Sequence, residues 1–239
     1  MTTTVNTFSS YNVKKLELQA GFAQVIFNTA PNEDIQVTAE DLADGTYLCE
    51  MQDDKLVVSY KPYNRIVHYP KHTKTLITLL LPENLMLEHI SLNLGAGKMN
   101  MKEFPLSCHD MDVSIGAGKW KAKQLSVAQN LHIEVGAGSV NLKQAKSGTL
   151  RLECGAGECF YNGEINGNFQ IDCAVGHCAL QLTNKEDDFD YDISCALGEV
   201  KINGQGMRSL GFEKHRFHES ALGKAVLQCG VGKITLETA

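Results

Sequence analysis

The sequence predicts an all-β protein, a right-handed parallel β-solenoid (β-helix-like) of about seven coils of ~20 residues with an N-terminal β cap. Three observations predict it. A Gly-Ala-Gly corner recurs in one frame at Gly95, Gly116, Gly136 and Gly155, and degenerate copies begin at Ala174, Ala196 and Gly230. Successive copies start 21, 20, 19, 19, 22 and 34 residues apart. Apolar and polar residues alternate on both sides of each corner, which is the period-2 signature of half-buried strands.

Taken in chain order, residues 1–82 lack the corner and read as a β-rich cap continuous with the solenoid. Within them Leu16 to Phe27 is a worn copy of the unit with Gly21 at its corner. Tyr47 to Met51 and Leu56 to Tyr60 flank Gln52-Asp53-Asp54-Lys55, a hairpin signal. The array proper spans 83–202. Before each corner the inward pairs are Leu92/Leu94, Val113/Ile115, Ile133/Val135, Leu152/Cys154, Ile171/Cys173 and Ile193/Cys195. After it they are Met99/Met101, Trp120/Ala122, Val140/Leu142, Cys159/Tyr161, Cys178/Leu180 and Val200/Ile202. One coil cannot bury its apolar face alone, so coils stack at about 4.8 Å and close a continuous core. The third corner residue is glycine in every copy, which predicts positive φ there. Residues 203–223 read as a loop insertion, and 224–239, with Leu227/Cys229 and Ile234/Leu236, as the closing coil.

Composition narrows the function. A net charge of -6 argues against a general nucleic-acid or anionic-membrane binder, whose footprint is basic. The longest apolar run, Leu76 to Leu81, is too short to span a bilayer. The first ten residues carry no basic and apolar leader pattern, so the sequence as it stands reads as cytoplasmic, or as cell-surface if a leader has been removed. Eight cysteines then read as reduced thiols.

Several clusters could carry chemistry. Cys154, Cys159, Cys173 and Cys178 bracket two adjacent corners; they read as a buried core ladder, with a four-cysteine zinc site as the alternative. No cofactor is expected. The outward residues Glu134, Glu153 and Asp172 stack on successive coils beside His132 and Arg151, a solvated face whose rival reading is a cation or catalytic site. Lys98, Lys102, Lys119, Lys121 and Lys123 gather on the other sheet. Two irregular segments mix aromatics with bases in the manner of binding hot spots. They supply the candidate binding residues Tyr63, Arg65, Tyr69, Lys71, Phe212, His215, Arg216 and Phe217. The corners, made of small residues, are expected to offer little surface for recognition.

The run Ile77-Thr78-Leu79-Leu80-Leu81-Pro82, leading into x-Leu-x-Val-Gly-Ala-Gly-x-Val-x-Leu units, resembles the bacterial β-strand-repeat family labelled "putative adhesin". Cys229-Gly-Val-Gly-Lys-Ile-Thr-Leu236 is similar to the closing coil of its members, and the resemblance spans roughly residues 10–239. It implies the repeat fold and a binding role, and it supplies no motif of catalytic residues. The expected function is therefore a non-enzymatic binding or scaffold module for a protein or glycan partner, with self-association into a homo-oligomer also open. A polysaccharide-acting β-helix enzyme using the acidic ladder and a metal-stabilised structural solenoid are the alternatives.

Overall fold

Each inward column must be covered by the coil above and below it, so the strands meet laterally in register. The computed structural model describes residues 3–42, 45–62, 75–207, 212–218 and 221–239. Its first strands are β1 (Thr3–Ser9), β2 (Lys15–Thr29), β3 (Asp34–Glu40), β4 (Gly45–Gln52), β5 (Lys55–Pro62) and β6 (Leu76–Leu81). The array contains β7 (Met86–Met101), β8 (Leu106–Ile115), β9 (Lys119–Lys123), β10 (Leu125–Val135), β11 (Ser139–Cys154), β12 (Glu158–Ile165), β13 (Phe169–Cys173) and β14 (His177–Leu182). It continues through β15 (Phe189–Cys195), β16 (Glu199–Ile202), β17 (Gln205–Met207), β18 (Phe212–Arg216), β19 (Gly223–Cys229) and β20 (Lys233–Glu237). Two single 3₁₀ turns, 10–12 and 186–188, are the helical elements among the described residues.

The predicted parity holds throughout the array. Parallel pairing aligns Leu94, Ile115, Val135, Cys154 and Cys173 in one inward column, and Leu92, Val113, Ile133, Leu152 and Ile171 in a second. On the facing sheet Met99, Trp120, Val140, Cys159 and Cys178 form the matching column. All of these side chains are buried, and Trp120 also donates its indole N–H to Met101 Sδ at 3.4 Å. The Asp53-Asp54 hairpin forms as the sequence suggests, with Gln52 opposite Lys55. The worn copy behaves as a coil, because β2 pairs with β7 in parallel from Lys15 to Ile26.

The ends of the stack depart from the order of the sequence. β19 lies between β13 and β15, and β20 between β14 and β16, so the last strands of the chain do not close it. The expectation of 224–239 as the closing coil is corrected: β15 and β16 lie farther out, each covered by an antiparallel strand, β18 and β17 respectively. Residues expected as a loop insertion over 203–223 thus include two edge-covering strands. The other end repeats the device. β5 and β6 pair with β2 on the side away from β7, and β4 and β3 cover them antiparallel, with β1 added outside β3. These antiparallel strands pair the outer backbone groups of the parallel stack, and at the far end the new edges, β17 and β18, are short, which limits further pairing.

A second correction concerns the corner glycines. Positive φ among the third corner residues is found at Gly97 (φ 124) and not at the later copies. Glycine is required there by close approach. A Cβ on Gly138 would land on the carbonyl oxygen of Gly118, one on Gly157 on that of Gly138, and one on Gly176 on that of Gly157. The same Cβ would press into the inward residue just before the preceding corner: Ile115 for Gly138, Val135 for Gly157 and Cys154 for Gly176. The corners therefore stack backbone on backbone, leaving no room for a methyl group.

Candidate functional site

Stacked glycines fix the corner, and fixing the corner fixes what stands on either side of it. Outside, next to the corner, lies an open groove of about 780 Å³ lined by Glu134, Glu153, Asp172 and Gln228 with the corner residues Gly116, Gly136, Gly155, Ala174 and Gly230. The three acids are aligned by register, Glu134 opposite Glu153 and Glu153 opposite Asp172. Stacked like charges repel, and the neighbouring column relieves part of this. Arg151 Nε donates to Glu153 Oε1 at 2.6 Å, holding that carboxyl below its usual range. Burial pushes Asp172 upward, against a 2.8 Å hydrogen bond from Gln170 Nε2. His132 reaches Asp112 at 3.4 Å through Nδ1, and both Glu134 and Glu153 at 3.6 Å through Nε2. Asp112 in turn faces His89 at 3.5 Å. The ligand atoms of His132, Glu134 and Glu153 lie within 4.8 Å of one another, so this trio, of which the two glutamates line the groove, could hold a cation.

The corner's middle residues form its rim. They are alanine in the first four copies: Ala96, Ala117, Ala137 and Ala156. In the next three coils of the stack they become Val175, Val231 and Leu197, exposed by 62%, 59% and 64%. Backbone bonds stack them directly, Val231 N–H to Ala174 O and Leu197 N–H to Gly230 O. Isolated exposed apolar residues are ordinary, but a contiguous row is a mark of an interaction surface. Fully burying one Val or Leu is worth about 1.5–3 kcal/mol. Of the corners expected to offer little surface for recognition, the alanine copies present single methyl groups and these three present exposed branched side chains. The signal was in the sequence, in the degenerate corners Ala174-Val175-Gly176, Gly230-Val231-Gly232 and Ala196-Leu197-Gly198.

Inside the corner the thiols converge. Cys154 and Cys173 face Cys159 and Cys178 across the core, and all four are buried. Cys154, Cys173 and Cys178 place their sulfurs within 4.8 Å of one another, and Cys159 contacts Cys154 and Cys178. Those contacts, Cys154 first, hold the Cys159 thiol down to about 5, while the neighbouring thiols push Cys178 far above its usual value.

The sequence-predicted binding residues fare differently. Tyr63, Arg65, Tyr69 and Lys71 lie outside the described residues, and the side chain of Phe212 does too. Arg216 is committed to Glu186 at 2.6 Å, and His215 to Asp192 at 3.3 Å, contacts that fasten β18 to the outer coil. Phe217 is 79% exposed and stacks on His215 with ring centroids 6.4 Å apart. β18 runs from Phe212 opposite Cys195 to Arg216 opposite Tyr191, away from the corner. His215, Arg216 and Phe217 are therefore not brought to the groove or its rim.

Among the described residues no helix is long and apolar enough to cross a membrane. The Toastrack DUF4097 family matches residues 13–215. Among solved structures, the chain is similar to a "putative adhesin" from Bacteroides fragilis at 15% identity and a TM-score of 0.48, covering 98% of this chain and 97% of that one. It is also similar to a "putative cell adhesion protein" from Clostridium sporogenes at 14% identity and a TM-score of 0.41, covering 100% and 99%. A "putative adhesin" from Parabacteroides distasonis aligns at 12% identity and a TM-score of 0.40, covering 100% and 97%. No curated protein matches the chain.

Proposed function

The chain belongs to the Toastrack DUF4097 family, and on that fold we propose a non-enzymatic binding module that docks a protein segment along its corner edge. The observation that carries the reading is the row Val175–Val231–Leu197, three exposed branched side chains on consecutive coils. The groove beside the corners adds Glu134, Glu153 and Asp172, so the favoured partner presents apolar side chains together with Lys or Arg. The proposal includes right-handed winding of about seven coils with an N-terminal cap, the hand that parallel crossovers favour. It also places the protein in a reducing compartment, the cytoplasm, where the eight cysteines stay out of disulfides.

The test is photo-crosslinking in cells from a reactive side chain at position 197, compared with one at position 121 on the opposite sheet. A partner should be trapped from 197 and lost when Val175 and Val231 are both changed to Ser. Equal trapping from both positions, or trapping indifferent to the serines, would remove the ridge from the function.

One arrangement favours a second reading, a polysaccharide-acting enzyme: Glu153 and Asp172 stand opposite each other in the groove, Arg151 holding the first below its usual range and burial pushing the second upward, as in acid/base pairs. Reducing-sugar release from acidic and neutral polysaccharides, abolished by Glu153→Gln and by Asp172→Asn, would establish it. Absence of turnover across both classes would leave the groove to docking.

A further inference from the structure

We propose that Cys154, Cys159, Cys173 and Cys178 form a tetrathiolate zinc site enclosed between the two sheets at adjacent corners. The case begins with the corner. Cys154 and Cys159 stand on either side of Gly155-Ala156-Gly157-Glu158, and Cys173 and Cys178 on either side of Ala174-Val175-Gly176-His177. Because both residues of each pair point inward, the tight turn brings two thiols face to face. Because the next coil stacks in register, Cys154 opposite Cys173 and Cys159 opposite Cys178, it brings the second pair onto the first. The result is two thiols by two thiols, three of them within 4.8 Å of one another and the fourth against Cys154 and Cys178.

A tetrahedral site with Zn–S bonds of about 2.3 Å has sulfur–sulfur edges of about 3.8 Å. Three of the sulfurs already stand within 4.8 Å of one another, so the site asks that the fourth, Cys159, close on Cys173. Binding is not a redox step. Four S–H groups each lose a proton to solvent, and four thiolates coordinate one Zn²⁺, so occupancy must fall in acid.

The same column contains its own control. It continues from Cys173 to Cys229 and then Cys195, both buried. Opposite these two, the facing column holds Ile234 and Val200 instead of cysteine. There the thiol faces a branched apolar side chain and fills the place of a small core residue. If cysteine were merely the small residue that fits beneath a corner glycine, the facing column would not need it on those two adjacent coils alone.

The experiment uses the full chain, purified under reducing conditions without chelator. Elemental analysis should find about one zinc per chain. Replacing zinc by Co²⁺ should give the visible bands and near-ultraviolet sulfur-to-metal charge transfer of a tetrahedral tetrathiolate. Cys159→Ser should lose the stoichiometric zinc and that spectrum, whereas Cys195→Ser should keep both. If Cys159→Ser does not fold, the unmodified chain and Cys195→Ser still decide through the cobalt spectrum. Cobalt that gives no thiolate charge transfer would overturn the site, as would metal content equal in Cys159→Ser and the unmodified chain.

Discussion

The first three corners of the array and the three that close the stack rest on the same stacked glycines and differ at two positions. In the first, Leu94, Ile115 and Val135 stand inside the turn and Ala96, Ala117 and Ala137 outside it. In the last, Cys173, Cys229 and Cys195 stand inside and Val175, Val231 and Leu197 outside. Gly155-Ala156-Gly157 is the transition, with a thiol within and alanine without. The difference teaches that stacked glycines leave this fold little freedom at the corner itself. What varies is the residue just before it, which decides what the core can hold, and the residue at its tip, which decides what the edge can touch.

The shared frame makes the largest prediction. Ile133 is fully buried and its neighbour Glu134 points into the groove. Ile133→Asp should abolish folding or cost about 3–5 kcal/mol, the scale of an uncompensated buried charge. Glu134→Lys should stay within about 0.5 kcal/mol, as surface changes do. Chemical denaturation of both variants measures the contrast, and a reversed order would mean that the register is wrong by one residue.

Next in size is the glycine ladder. Gly138→Ala and Gly176→Ala should each cost about 3 kcal/mol or more, because the added methyl meets backbone that cannot move without shifting the coil. Gly204→Ala should cost about 1–2 kcal/mol: nothing lies within 4 Å of its Cβ position, and only its positive φ of 76 opposes the change. Similar losses at 138 and 176 would show that both halves of the array rest on one steric rule. A tolerant Gly176 would show that the later corners are looser.

These contrasts also mark what could be read from sequence. Parity was legible at every strand of the array, because a period of 2 meeting a fixed corner leaves one assignment that buries Leu, Ile and Trp together. The alignment of Cys154 with Cys173 was legible for the same reason, since both sit at one offset from the corner. How close Cys159 and Cys178 come to them was not, because that depends on the gap between sheets at a turn. Nor was the stacking order at the ends: nothing in 224–239 states that β19 will slide between β13 and β15 and β20 between β14 and β16. The reason for glycine was misread because positive φ and close approach ask for the same residue. The ridge was overlooked because Val175, Val231 and Leu197 look like decay of a motif when they are counted and like a surface only when they are stacked.

Exchanging the tips tests whether they are as independent of the frame as the comparison says. Ala137→Val should move the melting midpoint little, since position 137 is exposed. Leu197→Ala should leave stability unchanged within about 0.5 kcal/mol while weakening whatever the ridge engages. A large stability loss at 197 would make the row a packing feature of the outermost coil.

The smallest expected effect lies in the groove. Burial raises Asp172 above its unfolded value, so the folded state prefers its protonated form. The ionised carboxylate then weakens folding at pH values above its folded pKa, and this cost vanishes as the pH falls below the unfolded pKa. Glu153 has the opposite sign. Arg151 depresses it, so its contribution is present above the unfolded pKa and is lost as pH falls through the folded one. Asp172→Asn should therefore raise the melting midpoint near neutral pH by an amount worth no more than about 1 kcal/mol, since solvent screens so open a site. The gain should disappear in acid. Glu153→Gln should lower the midpoint near neutral pH, and that loss should also shrink in acid. Melting curves of the two variants against pH therefore converge on the unmodified protein from opposite sides. If both variants shifted the midpoint in the same direction, the two carboxyls would be titrating as a single like-charged pair, and Arg151 would not be what separates them.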